Sequence, residues 1–348
     1  MASKIAFFDT KPYDRFFFDQ ANKKHHFSIQ YIESHLSSAT AILAKNCPVV
    51  CIFVNDIVDE RLLNTLHEAG VRLIALRSAG YNNVDFRAAY GKIHIVRVPA
   101  YSPHAVAEHA VALMLSLNRK TYKAYDRTRD SNFSIQGLLG FDMYAKTAGV
   151  IGTGAIGKEL IKILKGFGME VLAYDVRPDR DFSREIGFSY VSLKDLYRKS
   201  DIISLHCPLS KETYRMINAK TIARMKEGVM IINTGRGKLI DTRSLIEALK
   251  KGRVGYAGLD VYEEESEYFF EDFSTQVIAD DVLARLLTFP NVLVTSHQGF
   301  FTREALTNIA SVTLQNVDDF IHGRELAHEI CYQCSRDVCL KKKTGKCF

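Results

Sequence analysis

The chain has no stretch approaching the ~20 consecutive apolar residues that a bilayer-spanning helix needs. Its first residues, MASKIAFFDT, lack the apolar core and small-residue cleavage site of a secretory leader. No internal repeat and no low-complexity segment interrupts it. Neither sign of charge is in large excess: the formal net charge is +6 over 348 residues, and acidic and basic side chains interleave through most of the chain. That balance serves solubility and excludes a nucleic-acid footprint. These absences lead us to expect a cytoplasmic protein with no membrane and no nucleic acid among its partners. Three of the seven cysteines, Cys47, Cys51 and Cys207, sit in apolar strand-like runs, as reduced core thiols do. What remains is an ordinary globular composition, 47% hydrophobic and 25% charged, on a chain long enough for two domains.

The most informative stretch is KTAGVIGTGAIGKELIKILKGFG, Lys146 to Gly168. A short apolar run of buried-strand type leads into Gly152, Gly154 and Gly157 in G-x-G-x-x-G spacing. A helical pattern follows at once, with Ile156, Leu160, Ile163, Leu164 and Phe167 on one face. The first glycine permits a tight strand-to-helix turn, the second lets a pyrophosphate touch the backbone, and the third lets helix and strand pack closely. The helix start around Ala155 and Ile156 offers unpaired N–H groups and a positive dipole end to phosphates. A second strand ends in Asp175, 23 residues after Gly152. A carboxylate there accepts hydrogen bonds from a ribose diol and repels a 2′-phosphate, which favours NAD over NADP, although Arg177 is of a type that tolerates that phosphate.

In order, the first hundred residues alternate strand and helix. Lys4 to Phe8, Val49 to Val54, Leu73 to Leu76 and Ile93 to Val98 read as parallel strands, with a helix from Glu60 to Ala69 ended by Gly70. This half has no glycine fingerprint and reads as an α/β layer of its own. Pro103 opens a helical pattern running from His104 to about Arg129 without internal Gly or Pro, and the domain crossover belongs there. Six further strands follow, around Val150, Val171, Ile202–Leu205, Val229–Ile232, Tyr256–Leu259 and Leu293–Thr295. A last long helix, Arg303 to Phe320, is expected to return to the first domain and make it discontinuous.

Ligands of open parallel sheets collect beyond the carboxyl ends of the strands. Those positions hold His206-Cys207-Pro208, Thr234-Gly235-Arg236-Gly237, Asp260 with Glu263 to Glu265, and Ser296-His297. Beside a nicotinamide, such a set can reduce a 2-keto acid: a cation holds the carboxylate, and an acid protonates the carbonyl oxygen as C2 receives hydride. A nearby carboxylate keeps an imidazole protonated near neutral pH. Spacing alone does not choose among the three glutamates, and it leaves His297 open between a proton carrier and a core histidine. His206 reads as structural or near the nicotinamide, and His104 and His109 as capping or interface residues.

Taken together, RSAGYNNVD (Arg77 to Asp85), GTGAIG with Asp175, HCPL (His206 to Leu209), INTGRG (Ile232 to Gly237), GLDVYEEE (Gly258 to Glu265) and SHQGF (Ser296 to Phe300) resemble the D-isomer-specific 2-hydroxyacid dehydrogenases, and within them the NAD-dependent D-lactate branch. The resemblance runs from about Lys4 to Ile330. It implies two doubly wound α/β domains with parallel sheets, a Rossmann NAD domain (101–298) inserted in a flavodoxin-like substrate domain (1–100 plus 299–330), and a Cys/Lys-rich tail (331–348). It implies a substrate-binding Arg236, a general acid/base His297 and its carboxylate partner Glu265. The N–H groups around Ala79 and Gly80 would share the substrate carboxylate, and Tyr101 and Phe300 would shape a small pocket. Cofactor contacts would fall on Ala155, Ile156, Asp175, Cys207, Pro208, Thr234, Gly235 and Asp260, beside the glycine loop. The implied reaction interconverts pyruvate and D-lactate with NADH, and the implied assembly is a homodimer or a dimer-based oligomer. The alternatives are a reductase of glyoxylate, hydroxypyruvate or a longer 2-keto acid, and a non-catalytic NAD(H)-sensing module on the same scaffold.

The tail departs from the family. Cys331, Cys334, Cys339 and Cys347 crowd together with Lys341, Lys342, Lys343 and Lys346. The C-x-x-C start could suggest zinc; the ordinary reading is a loose, reduced extension, and no metal is expected.

Overall fold

The computed structural model describes residues 3–265, 268–334 and 339–348. The chain divides into two compact units, Met1–Ser102 with Phe301–Phe348, and Pro103–Phe300. Among the described residues, no helix is long and apolar enough to cross a membrane.

The first unit is built on a five-stranded parallel sheet: β1 (Lys4–Phe7), β2 (Ser28–Tyr31), β3 (Val49–Ile52), β4 (Leu73–Leu76) and β5 (His94–Arg97), in the order β2-β1-β3-β4-β5. That is the flavodoxin-like order. The central strands VVCI and LIAL are buried at every position, as strands covered on both faces must be. Strand β2, SIQY, was not among the expected strands, because it has no apolar run. It pairs along β1 only, at the edge, with alternate residues exposed. The helix Arg303–Ile321 packs on the helix Pro12–Asn22 and against β4 and β5, so the segment Phe301–Phe348 completes the unit that Met1–Ser102 began.

Beside the end of β4 lies a buried cation. Arg77 donates from Nη2 to the Asp9 carbonyl at 2.6 Å, and its Nε stands 3.5 Å from Asp14 Oδ1. Its guanidinium lies over the rings of Phe7 and Phe53, at 4.5 and 4.9 Å from the centroids. Burial pushes the Asp9 and Asp14 carboxyls up, and the charge of Arg77 is the largest influence opposing it at both.

The second unit carries seven parallel strands: β6 (Thr147–Ile151), β7 (Glu170–Tyr174), β8 (Ser189–Tyr190), β9 (Ile202–Leu205), β10 (Val229–Asn233), β11 (Val254–Leu259) and β12 (Val292–Val294), in the order β12-β11-β10-β9-β6-β7-β8. Six were expected; the seventh, β8, has only two residues and leaves no periodic signal. The order reverses between β6 and β9, which marks the switch point of a doubly wound sheet. The helix Pro103–Arg119 packs on β10, β11 and β12 and on the glycine-loop helix Ala155–Gly166. It does not run on to Arg129 as one element. Lys120 adopts left-handed φ 51° and caps a separate helix, Thr121–Arg129, while Asn118 turns its side chain to the backbone N–H and carbonyl of Phe141. Nothing but a lysine marks the break, because the cause lies 23 residues away.

Among its described residues, the tail packs rather than hanging loose. Phe348 stacks on His94 with ring centroids 4.2 Å apart, and Tyr90 meets both Tyr332 and Phe348 edge-on. Cys339 and Cys347 are buried. Aromatic residues at the two ends of the segment supply the burial that a lysine-rich composition conceals.

Replacing Arg77 by Leu strips two buried carboxylates of their main counter-charge. The expected cost is about 3–5 kcal/mol, a fall in melting temperature of roughly 10 °C. Adding Asp14→Asn should recover part of it; an unchanged thermal melt for the single variant would contradict this account.

Candidate active site

The second unit presents its chemistry at the carboxyl ends of adjacent strands. Arg236 follows β10, Glu265 follows β11, and His297 follows β12. Neighbouring strands lie about 4.8 Å apart, so three consecutive strand ends span roughly 10 Å.

His297 is held by a turn whose centre is Asp260. This carboxylate, 1% exposed, accepts from the Thr295 hydroxyl at 2.6 Å and the Gln298 N–H at 2.9 Å on one oxygen, and from the Gly299 N–H at 2.8 Å on the other. The Asp260 carbonyl accepts the His297 N–H at 2.8 Å. The His109 ring lies 3.1 Å from the Thr295 hydroxyl and 3.2 Å from Asp260 Oδ1. Burial would raise the Asp260 carboxyl, but the hydrogen bonds from His109 and Thr295 outweigh it and hold the group below the usual range. The turn forces His297 to φ 52°, in the left-handed region, which a non-glycine residue occupies only under such constraint. The residue expected to touch cofactor at this position, Asp260, thus has both oxygens engaged in shaping the turn. His109, read from sequence as a capping or interface residue, is part of the same support.

Of the three glutamates, geometry selects Glu265. Its Oε1 lies 3.0 Å from His297 Nδ1, and its Oε2 accepts the Tyr262 N–H at 2.9 Å. Glu263 is occupied by the Arg215 guanidinium and the Thr242 N–H, and Glu264 is exposed. With Nδ1 turned to a carboxylate, the other nitrogen, Nε2, is the one left to exchange a proton with a ligand. Phe270 lies 5.9 Å from the His297 ring and 6.4 Å from Phe300, which is buried, so the imidazole has an aromatic wall beside it.

Arg236 is presented by a turn that its neighbours leave no freedom. The buried Asn233 amide donates to the Arg236 carbonyl at 2.9 Å, and its oxygen accepts the Gly235 N–H at 3.1 Å. No feature of INTGRG read alone separated Asn233 from the arginine it positions. A Cβ on Gly237 would lie 1.9 Å from the Tyr262 carbonyl, so the Arg236 turn and the Glu265 loop touch backbone to backbone.

At the switch point, the glycine loop fits a dinucleotide. Gly152 has φ 95°, and a Cβ there would strike His206 and Cys207 at 2.6 Å; a Cβ on Gly157 would lie 2.0 Å from the Gly152 carbonyl. Gly154 needs no unusual φ and has open space around its Cβ position, so the openness serves an approaching group rather than the chain. The helix beginning at Ala155 has no side-chain cap, leaving the N–H groups of its first turn, Ala155 and Ile156 among them, to an anion. Asp175 accepts the Thr153 N–H at 2.6 Å and the Arg177 N–H at 2.8 Å. Burial pushes its carboxyl up, and those hydrogen bonds pull it further down, so it stays charged. The Thr234 hydroxyl is buried and has no hydrogen-bond partner among the described residues, as a group awaiting a ligand would be. Cys207 and Pro208 border the loop at the end of β9, where the Cys207 thiol donates to Met216 sulfur.

His206 is no proton donor. Loss of water around its ring pushes its pKa down to about 4, and Nε2 hydrogen-bonds Ser204 at 2.8 Å. In the first unit, the carbonyls of Ser78, Ala79 and Gly80 turn to Val98 N–H, Arg97 and the Ser78 hydroxyl. In a trans peptide the N–H points opposite its carbonyl, so the Ala79 and Gly80 N–H groups face away from those partners. The Tyr101 carbonyl accepts from Asn308.

Two outcomes follow. Gly237→Ala must displace backbone and should cost about 2–3 kcal/mol, seen as a melting temperature lower by roughly 5–10 °C, with activity reduced in the folded fraction. Second, His206 is neutral when folded, whereas an unfolded imidazole protonates near pH 6.5. Between about pH 6.5 and 4 the unfolded chain therefore binds the extra proton, and stability falls as pH falls. From pH 7 to 5 this single group should remove about 2 kcal/mol. His206→Gln should flatten that part of the pH-stability curve, and an unaltered slope would refute the assignment.

Known proteins resemble this chain over nearly its whole length. The profile of the D-isomer specific 2-hydroxyacid dehydrogenase NAD binding domain matches residues 111–299. The D-lactate dehydrogenase of Escherichia coli is 50% identical over 328 residues, 94% of this chain and 99% of that protein. Its apo-structure superposes with a TM-score of 0.87 at 48% identity, covering 94% of this chain and 99% of that one. The pyruvate reductase of Chlamydomonas reinhardtii superposes with a TM-score of 0.88 at 44% identity, covering 93% and 98%. The chain therefore belongs to the D-isomer-specific 2-hydroxyacid dehydrogenases and carries that family's NAD-binding domain.

Proposed function

We propose that the protein is an NAD-dependent D-lactate dehydrogenase, reducing pyruvate to D-lactate and running in reverse when lactate and NAD⁺ are abundant. The observation that carries this reading is the His297–Glu265 pair at 3.0 Å, set two strands from Arg236 in a unit with an intact dinucleotide loop. Relatives named D-lactate dehydrogenase and pyruvate reductase support the substrate.

In this mechanism Arg236 binds the substrate carboxylate with two parallel hydrogen bonds and polarises the ketone. His297, as imidazolium, donates the Nε2 proton to the carbonyl oxygen and takes it back in oxidation. Glu265 fixes ring and tautomer through Nδ1 and offsets the imidazolium charge. Bound nicotinamide supplies or accepts the hydride at C2. The glycine loop, the first turn at Ala155 and Ile156, Asp175, Cys207, Pro208, Thr234 and Gly235 hold that cofactor, and the charged Asp175 disfavours a 2′-phosphate. Asp260 acts through the turn that carries His297. Phe300 and Phe270, beside His297, limit the substrate to a short side chain, and the family resemblance assigns Ala79, Gly80 and Tyr101 to substrate binding as well. The working form is a homodimer in the cytoplasm.

A panel of 2-keto acids with NADH, and both lactate enantiomers with NAD⁺, checks the assignment. Pyruvate and D-lactate should give the highest kcat/KM; preference for glyoxylate, hydroxypyruvate or a longer acid would move the substrate within the class. Tight NADH binding without turnover on any acid would instead make the chain a cofactor sensor. His297→Gln should lower kcat by about 10²–10⁴-fold while NADH affinity stays within twofold. Arg236→Lys should chiefly raise the KM for pyruvate, since an ammonium cannot form the fork.

A further inference from the structure

The tail brings three thiols together far from the sequence neighbourhood of the hydride chemistry. The sulfur atoms of Cys331, Cys334 and Cys347 all lie within 4.8 Å of one another. Ligand sulfurs around a tetrahedral zinc ion, at Zn–S of about 2.3 Å, stand roughly 3.8 Å apart. A disulfide would need one pair at about 2.05 Å and would leave the third thiol idle. Three sulfurs at mutual near-contact therefore match an ion's coordination sphere better than a covalent pair.

The surrounding backbone is already arranged for ligand sulfur. The Gln333 N–H donates to Cys331 Sγ at 3.4 Å, and the Cys331 N–H donates to Cys334 Sγ at 3.1 Å. N–H groups pointed at sulfur stabilise thiolate charge, the form in which cysteine binds metal. Cys347 arrives from the other end of the tail and is fixed independently. Its N–H donates at 2.6 Å to Glu329, a carboxylate 2% exposed that also holds His94 at 2.5 Å. Lys341 Nζ donates to the carbonyls of Ala327 and Glu329 at 2.8 and 2.7 Å, tying Lys341 to the backbone just before Cys331. The stacked Phe348 and the edge contacts of Tyr90 close the opposite side. Cys334 is exposed and Cys331 partly so, which gives an ion an entry path and leaves water able to complete the tetrahedron.

We propose that Cys331, Cys334 and Cys347 bind one zinc ion that ties the start of the C-terminal segment to its end, with water in the fourth position. The site is structural, and it stands independently of which 2-keto acid the enzyme reduces. It reverses the expectation from composition that the tail is free of metal. Softness of the ligands selects zinc over magnesium or calcium, which require oxygen donors.

The test uses the full chain, purified without a polyhistidine tag and dialysed against a mild chelator. Native mass spectrometry with elemental analysis should find close to one zinc per chain, and reconstitution of chelated protein with Co²⁺ should produce the thiolate-to-cobalt charge-transfer band. Cys334→Ser, at an exposed position tolerant of substitution, should lower retained zinc at least about fivefold and abolish the band. Cys347→Ser should do the same, while NADH-dependent pyruvate reduction stays near the wild-type rate in both. A metal-free native mass with no cobalt band would overturn the proposal. So would a mass two hydrogens light that is restored by reductant, because that would make the cluster a disulfide.

Discussion

The carboxylate of Asp260 is the constraint on which the placement of His297 hangs. One buried side chain accepts the Thr295 hydroxyl and the Gln298 and Gly299 N–H groups, and its own carbonyl accepts the His297 N–H. These bonds keep His297 in a left-handed conformation it would not choose in isolation. The imidazole is thereby delivered to Glu265 at 3.0 Å rather than left to sample rotamers. Burying an unpaired carboxylate would be costly; engaging both its oxygens with these donors converts that cost into positional precision.

The parallel sheet multiplies this effect. Strands β10, β11 and β12 are neighbours, and each delivers one functional side chain just beyond its carboxyl end. The deliveries are coupled through backbone contact. Gly237 lets the Arg236 turn lie directly against the Tyr262 carbonyl, and the Tyr262 N–H in turn holds Glu265. Asn233 closes the first turn and Asp260 the third. The same logic appears at the switch point, where Gly152 and Gly157 exist for close packing and Gly154 for access.

Electrostatics then separates residues of identical type. Two histidines follow strands of the same sheet, but His206 sits where loss of water keeps it neutral, while His297 faces a carboxylate. Three consecutive glutamates divide likewise: Glu263 anchors Arg215 and Thr242, Glu264 stays exposed, and Glu265 serves the imidazole. In the first unit, Arg77 uses similar means for stability, a guanidinium between Asp9 and Asp14 beneath two aromatic rings.

The chain by itself determined whatever depends on local pattern. The glycine spacing, the apolar runs of β3, β4, β6, β9 and β10, the acid after β7 and the ordered motifs fixed the α/β class, the cofactor and the family. Arg236 and His297 were legible as candidates, because strand ends in such sheets are where ligands collect, although spacing alone left His297 open between a proton carrier and a core histidine. Tertiary structure alone decided what depends on a distant partner. Strand β2 forms because β1 offers an edge, and the helix from Pro103 stops at Arg119 because Asn118 bonds Phe141. Asn233 and His109 gained their positioning roles only when separate segments met. The tail became ordered for the same reason, as Glu329, His94 and Tyr90 wait on another part of the chain. Sequence records which groups are available; only folding decides which of them come within 3 Å, and hydrogen bonds and ion pairs act at that range.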